Sequence, residues 1–159
     1  MSAGIEIEPV SDAAWLVNYI RRHWGEAGVV SRGKLRTGGE LMALRASVGG
    51  DIAGVVSWQI EAGSAEIVTL DSDKPGHRVG TRLLEAAVGE LRAAHVRRVW
   101  LITTNDNTDA LRFYQRRGWR LVALYPNAVA ESRKLKPSIP ETGAHGIPIR
   151  DEIELEYPL

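Results

Sequence analysis

The stretch RVWLITTNDNTDALRFYQRRGWRLVALY, residues 98–125, decides the architecture because two apolar runs enclose an amphipathic segment. RVWLITT (98–104) reads as a buried strand, since its apolar residues run on without a strict polar alternation. Residues 107–117 read as a helix, closed by Gly118 where a helix C-terminus favours a left-handed residue. WRLVALY (119–125) reads as the next strand. Asn107, Leu111 and Tyr114 fall on one face of the helix at i, i+4 and i+7.

Upstream, DKPGHRVGTRLLEAAVGEL (73–91) places a basic, glycine-punctuated loop before a helix with Val79, Leu83, Ala87, Val88 and Leu91 on one stripe. LMALRASV, GGD and IAGVVSWQIE read as a β-hairpin, because Gly49-Gly50-Asp51 can supply the positive φ angles of a tight turn. AEIVTL is a third strand. Ile5–Glu8 alternates like a strand and stops at Pro9, and Ser11-Asp12 offers caps to a helix running to about Gly25. Residues 25–40 read as loop or a short helix. AVAESRKL reads as a further helical piece, and EIELEY as a last strand. Hairpins in the first half and strand–helix–strand units in the second predict an α/β fold with a mixed sheet covered by helices. A right-handed crossover makes the strands flanking the 79–95 helix parallel neighbours.

The chain has 159 residues, 44% apolar and 25% charged, which fits one globular domain spanning 1–159. Twenty basic residues balance twenty acidic ones. With Arg97-Arg98, Arg116-Arg117 and Arg133-Lys134 dispersed along the chain, no nucleic-acid partner is expected. There is no cysteine, hence no disulfide, thiol nucleophile or thiolate metal site, and four scattered histidines lack ligand spacing, so no metal is expected. MSAGIEIEPV lacks the basic and apolar regions of a secretory signal, and no apolar stretch is long enough to span a bilayer. The expectation is a cytoplasmic protein without a membrane partner.

Asn107-Thr-Asp-Ala110-Leu-Arg-Phe-Tyr114-Gln-Arg-Arg-Gly118-Trp119 resembles the pattern Asn-x-x-Ala-x-x-Phe/Leu-Tyr-x-x-x-Gly-Phe of the GNAT superfamily of acetyl-CoA-dependent N-acetyltransferases. Pro75-Gly76-His77-Arg78-Val79-Gly80, followed by Thr81, aligns with that family's phosphate loop. Gly80 is kept, Pro75 stands where the family has a polar residue, and Arg78 stands where it has its first glycine. The resemblance covers residues 41–126 best. It implies a central six- to seven-stranded mixed sheet flanked by about four helices. It also implies that Gly76, His77, Arg78, Val79, Gly80 and Thr81 cradle the diphosphate of acetyl-CoA, that Val68 and Leu70 hold its pantetheine arm, and that Asn107 reaches the cofactor.

The helix N-terminus after that loop presents unpaired N–H groups to an anion, and His77, Arg78, Arg82 and Lys74 add charge. The plain alternative is a tight turn beside a solvated basic face. Acetyl transfer needs a neutral amine, an acid for the departing thiolate, and at times a base. Tyr114 is the candidate general acid and Glu66 the candidate base, Glu66 being otherwise a solvent-facing strand residue. The expected function is acetylation of a primary amine, on a small-molecule or peptide acceptor, by direct attack. The alternative is a module of this fold that binds acyl-CoA or another ligand without turnover. Tyr19, Trp24, Arg32 and Lys34 fall where the family walls its acceptor pocket, and the family's habit admits a homodimer.

Overall fold

The computed structural model describes residues 4–73 and 77–159. Its elements are β1 (Ile5–Pro9), α1 (Ala13–Trp24), β2 (Val29–Ser31), β3 (Lys34–Arg36), β4 (Met42–Val48), β5 (Asp51–Glu61), β6 (Ser64–Ser72), α2 (Val79–Ala93), β7 (Arg98–Thr104), α3 (Thr108–Arg116), β8 (Arg120–Tyr125), α4 (Ala128–Leu135) and β9 (Glu152–Tyr157). Seven strands form one mixed sheet in the order β1-β4-β5-β6-β7-β9-β8. The expected α/β fold, with its six- to seven-stranded sheet and four helices, is the one the chain adopts. Among the described residues no helix is long and apolar enough to cross a membrane.

Residues 25–40 differ from expectation. They hold β2 and β3, paired as a separate antiparallel ribbon. Arg32 and Gly33 at its tip both have positive φ, 48° and 74°, as a two-residue hairpin turn requires. Strands of three residues are too short for periodicity to reveal, and an arginine at the first turn position hides the turn. Elsewhere the local chemistry acts as read. Asp12 accepts from the N–H groups of Ala14 and Trp15 at 3.0 and 3.3 Å, opening α1, and Gly118 closes the α3 region at φ 91°.

The decisive feature lies in the middle of the sheet. β6 pairs with β7 in parallel only from Ser64–Arg98 to Ile67–Leu101. Against β5, Ser57 lies opposite Thr69 and Trp58 opposite Ile67, so Val68 is an extra, unopposed residue. Such a bulge bends its strand and increases its twist. Beyond it β6 stays on β5 while β7 stays on β9, and the two middle strands part.

Leu83, Leu84, Ala87, Val88 and Leu91 of α2 share one core with Tyr114 and Trp119 from the α3 region. On the other side, Leu16, Tyr19 and Ile20 of α1 pack with Ala43 and Val55. Gly54 lets these layers close. A Cβ there would overlap the Asp71 carbonyl oxygen and press on Val79 and Leu83 at 3.1 and 3.2 Å. Gly54→Ala is therefore expected to cost about 1–3 kcal/mol of unfolding free energy, the usual range for overpacking. Denaturant melts check this, and an unchanged midpoint would contradict the close approach.

Candidate active site

Where β6 and β7 part, a cavity of about 270 Å³ opens between them. Its walls come from the two strands themselves, including Glu66, Val68 and Leu70 on β6 and Thr103 and Thr104 on β7. Asn107 and Tyr114 of the α3 region line it, as do Trp24, Ser31, Lys136 and Glu152 from α1, β2, the end of α4 and β9. The cavity thus joins the helix layer that carries Tyr114 to the region covered by α1, the β2–β3 ribbon and α4. Beyond Ile67 the edge of β6 that faces β7 has no partner strand, so its backbone groups are available to an extended ligand.

Tyr114 is buried among aromatic rings, edge-on to Phe113 at 5.2 Å and to Trp119 at 5.4 Å between centroids. Tyr19 and Tyr125 give their hydroxyls to Asp71 and Glu154, each at 2.9 Å. Among the described residues none takes the hydroxyl of Tyr114. Burial raises the Tyr114 pKa, so the phenol stays protonated at neutral pH. Asn107 has a local duty as well. It caps α3, its Oδ1 accepting from the Ala110 N–H at 3.2 Å, while lining the cavity.

Glu66 is not a solvent-facing strand residue, being 4% exposed. Its carboxylate accepts from the Ser31 hydroxyl and from Arg36 Nη2 at 3.3 Å, and Gln59 holds the other arm of Arg36. Burial raises its pKa, and Ser31 and Arg36 pull it part of the way back. A carboxylate so poised accepts a proton more readily than an exposed one. The ribbon that delivers Ser31 and Arg36 is the part least legible in the sequence.

Of the expected pocket walls, Trp24 lines the cavity. Tyr19 instead bonds Asp71, and Lys34 pairs with exposed Glu61 at 3.1 Å. The Arg32 side chain lies over the Tyr125 ring at 3.4 Å, while its backbone N–H donates to Glu152 at 3.2 Å. Glu152 is a second buried carboxylate of the site and also accepts from the Ser132 hydroxyl at 3.0 Å. EIELEY alternates, and nothing in that pattern tells that Glu152 and Glu154 lie buried beside Leu155.

Gly76 lies outside the described residues, as do Lys74 and Pro75. His77 and Arg78 lead into α2, and Arg78 is its N-cap, held left-handed at φ 54°, ψ 35° with no side-chain cap bond. The first-turn N–H groups of Val79, Gly80 and Thr81 lack intrahelical partners, although the Val79 side chain is core. The Thr81 hydroxyl is turned away, accepting from Arg117 Nε at 2.9 Å.

Arg117 also donates to the Phe113 carbonyl at 2.8 Å and stacks on the Phe113 ring at 3.7 Å. It stands in a groove of about 650 Å³ between α2 and α3, lined by Arg78, Arg92, Arg112, Arg116 and Arg117 against Glu85 and Asp109. Burial lowers the Arg117 pKa first, and the like charges of Arg78 and Arg116 lower it further. Arginines dispersed in sequence thus converge in space. The i, i+4 spacing of Arg112 and Arg116 is the one signal that points to the groove. Among the described residues no group of three His, Asp or Glu side chains could hold a metal ion.

The family model described as Acetyltransferase (GNAT) family matches residues 12–119, and the chain belongs to that family. It is 41% identical over 140 residues to the uncharacterized protein YdhI of Bacillus subtilis, covering 87% of each chain. Its fold matches an IAA acetyltransferase from Bacillus cereus with TM-score 0.73 at 20% identity, over 98% of this chain and 100% of that one. It also matches a GNAT family acetyltransferase from Elizabethkingia anophelis, solved with acetyl-CoA bound, with TM-score 0.70 at 18% identity over 98% and 99% of the two chains.

The left-handed Arg78 carries a stability cost that glycine would not. Arg78→Gly is expected to stabilise the fold by about 1 kcal/mol, seen as a raised melting temperature. A lowered melting temperature would show that the side chain contributes more than its strain costs.

Proposed function

We propose that the protein transfers the acetyl group of acetyl-CoA to a primary amine by direct attack, with Glu66 as base and Tyr114 as acid. The observation that carries this is the cleft made by the Val68 bulge, which has the buried carboxylate of Glu66 and the buried phenol of Tyr114 in its walls.

The residues present fit the cofactor along its length. The N-terminus of α2 and the neighbouring arginines suit phosphate groups, because unpaired N–H groups and guanidinium forks both favour anions. The unpaired edge of β6 at Val68–Leu70 suits the pantetheine arm, which would bind as an added strand does. The acetyl-CoA bound to the Elizabethkingia relative supports the same reading.

Acetyl-CoA, once bound, supplies a thioester carbonyl. Glu66 takes the proton that the amine must lose, its carboxylate steadied by Ser31 and Arg36. Tyr114 donates its phenolic proton to the departing sulfur and recovers one from solvent. A phenol ordinarily titrates at about 10 and a thiol at about 8.5, so this transfer is uphill for free groups. Burial opposes the charged form of both groups, so Tyr114 gives its proton as the C–S bond breaks, not before. Binding without turnover would leave this buried acid and base without a task.

Glu66 must be ionised to act, so kcat/KM rises with pH through its pKa. That acidic limb is expected above the ordinary glutamate value of about 4.3, and Glu66→Gln is expected to abolish it. Tyr114→Phe is expected to lower kcat by about 10²–10⁴-fold while calorimetry still finds acetyl-CoA bound. A Glu66 limb that survives Glu66→Gln beside the separate limb set by the acceptor amine's own ionisation, or a kcat indifferent to Tyr114→Phe, overturns the assigned roles. No binding at millimolar acetyl-CoA overturns the function.

A further inference from the structure

One half-buried cation beside the acceptor end of the cleft has no part in the chemistry above. Lys136, the residue after α4, lines the cavity, and its ammonium donates to the carbonyls of Trp24 at 2.5 Å and Gly28 at 2.8 Å. Both acceptors are neutral. Of the other cations here, Arg36 is paired with Glu66 at 3.3 Å, and Arg32 lies 3.8 Å from Glu152. The two carboxylates are therefore matched by two guanidiniums, and Lys136 is left as the uncompensated charge. Burial lowers its proton affinity and no neighbouring carboxylate raises it again.

Lysines that cap a helix C-terminus usually extend along its surface into water. The Lys136 ammonium is instead tied to the end of α1 and to the residue before β2. Two of an ammonium's three N–H donors are fixed on carbonyls, and the third is available to a ligand. The same cavity has apolar lining from Trp24, Val29, Val30, Ile139 and Ile149 beside its polar groups. Arg133 fastens the part of this lining after α4, donating to the carbonyls of Pro140 and Ile149, each at 2.8 Å.

We infer that Lys136 binds a carboxylate on the acceptor, and that the acceptor is a free amino acid with an apolar side chain. This deepens the transferase reading and rests on it. Glu66 and Lys136 line the same cavity, so one small molecule there can turn its amine to the first and a carboxylate to the second. The step balances: the amine nitrogen bonds to the acetyl carbon, the C–S bond breaks, Glu66 takes the amine proton, and the thiolate takes one from Tyr114.

The test is thiol release from acetyl-CoA with matched pairs, phenylalanine against phenethylamine and leucine against isoamylamine, for the wild type, Lys136→Met and Lys136→Arg. A charge-assisted hydrogen bond gives the amino acid an advantage in kcat/KM of about tenfold or more. Lys136→Met should bring that ratio near one by raising KM for the amino acid, and Lys136→Arg should retain most of it. Equal or better turnover of the amines lacking a carboxylate overturns the inference. So does a Lys136→Met enzyme that loses both substrates in proportion, the result of a purely structural tie. If acetyl-CoA binds by calorimetry and no amino acid is turned over, the inference fails while the cofactor site stands. If acetyl-CoA does not bind, the transferase reading fails and the inference falls with it.

Discussion

The site depends on one extra residue in a strand. Val68 has no partner on β5, and from that point β6 and β7 cannot continue as neighbours. A regular parallel pair here would satisfy more backbone hydrogen bonds and leave no cleft. The sheet gives up that pairing, and both strands remain anchored on their outer sides, β6 on β5 and β7 on β9. A hydrogen bond of 2.6 Å between the buried hydroxyls of Ser57 and Thr69 ties β5 to β6 beside the bulge. The opening is therefore built into a rigid sheet, and it exposes strand edge only where a ligand can cover it.

The candidate acid and base are arranged around that opening. The motif helix supplies Tyr114 from one layer, and the β2–β3 ribbon locks Glu66 from another. The segment after α4 is fastened over the turn between β7 and α3. Asn105 accepts from the N–H groups of Arg150 and Asp151, both at 2.9 Å, and Asp106 accepts from Ala144 at 3.0 Å. Asp106 is buried, and a buried polar group is costly to leave half satisfied, so these bonds help the walls of the cleft hold their shape.

Much of this was legible in the sequence, and the exceptions share a cause. The Gly49-Gly50 hairpin, the Asp12 cap and the helix ending at Gly118 are local instructions, read within a few residues. The parallel pairing of β6 with β7 follows from the handedness of a crossover. The ribbon over 29–36 escaped because its strands are three residues long and Arg32 occupies a turn position that glycine or asparagine would have advertised. The burial of Glu152 and the convergence of Arg78 with Arg117 are products of tertiary packing. Periodicity reports which face of an element is apolar, and it is silent on which polar residue of a distant element will meet that face.

The central claim is that the unpaired edge of β6 receives the cofactor as a strand would. Amide hydrogen exchange across residues 68–72, with and without saturating acetyl-CoA, tests it most directly. The account predicts that exchange there slows on binding, together with that of the first turn of α2. Binding that protects the first turn of α2 and leaves residues 68–72 exchanging as before would contradict it.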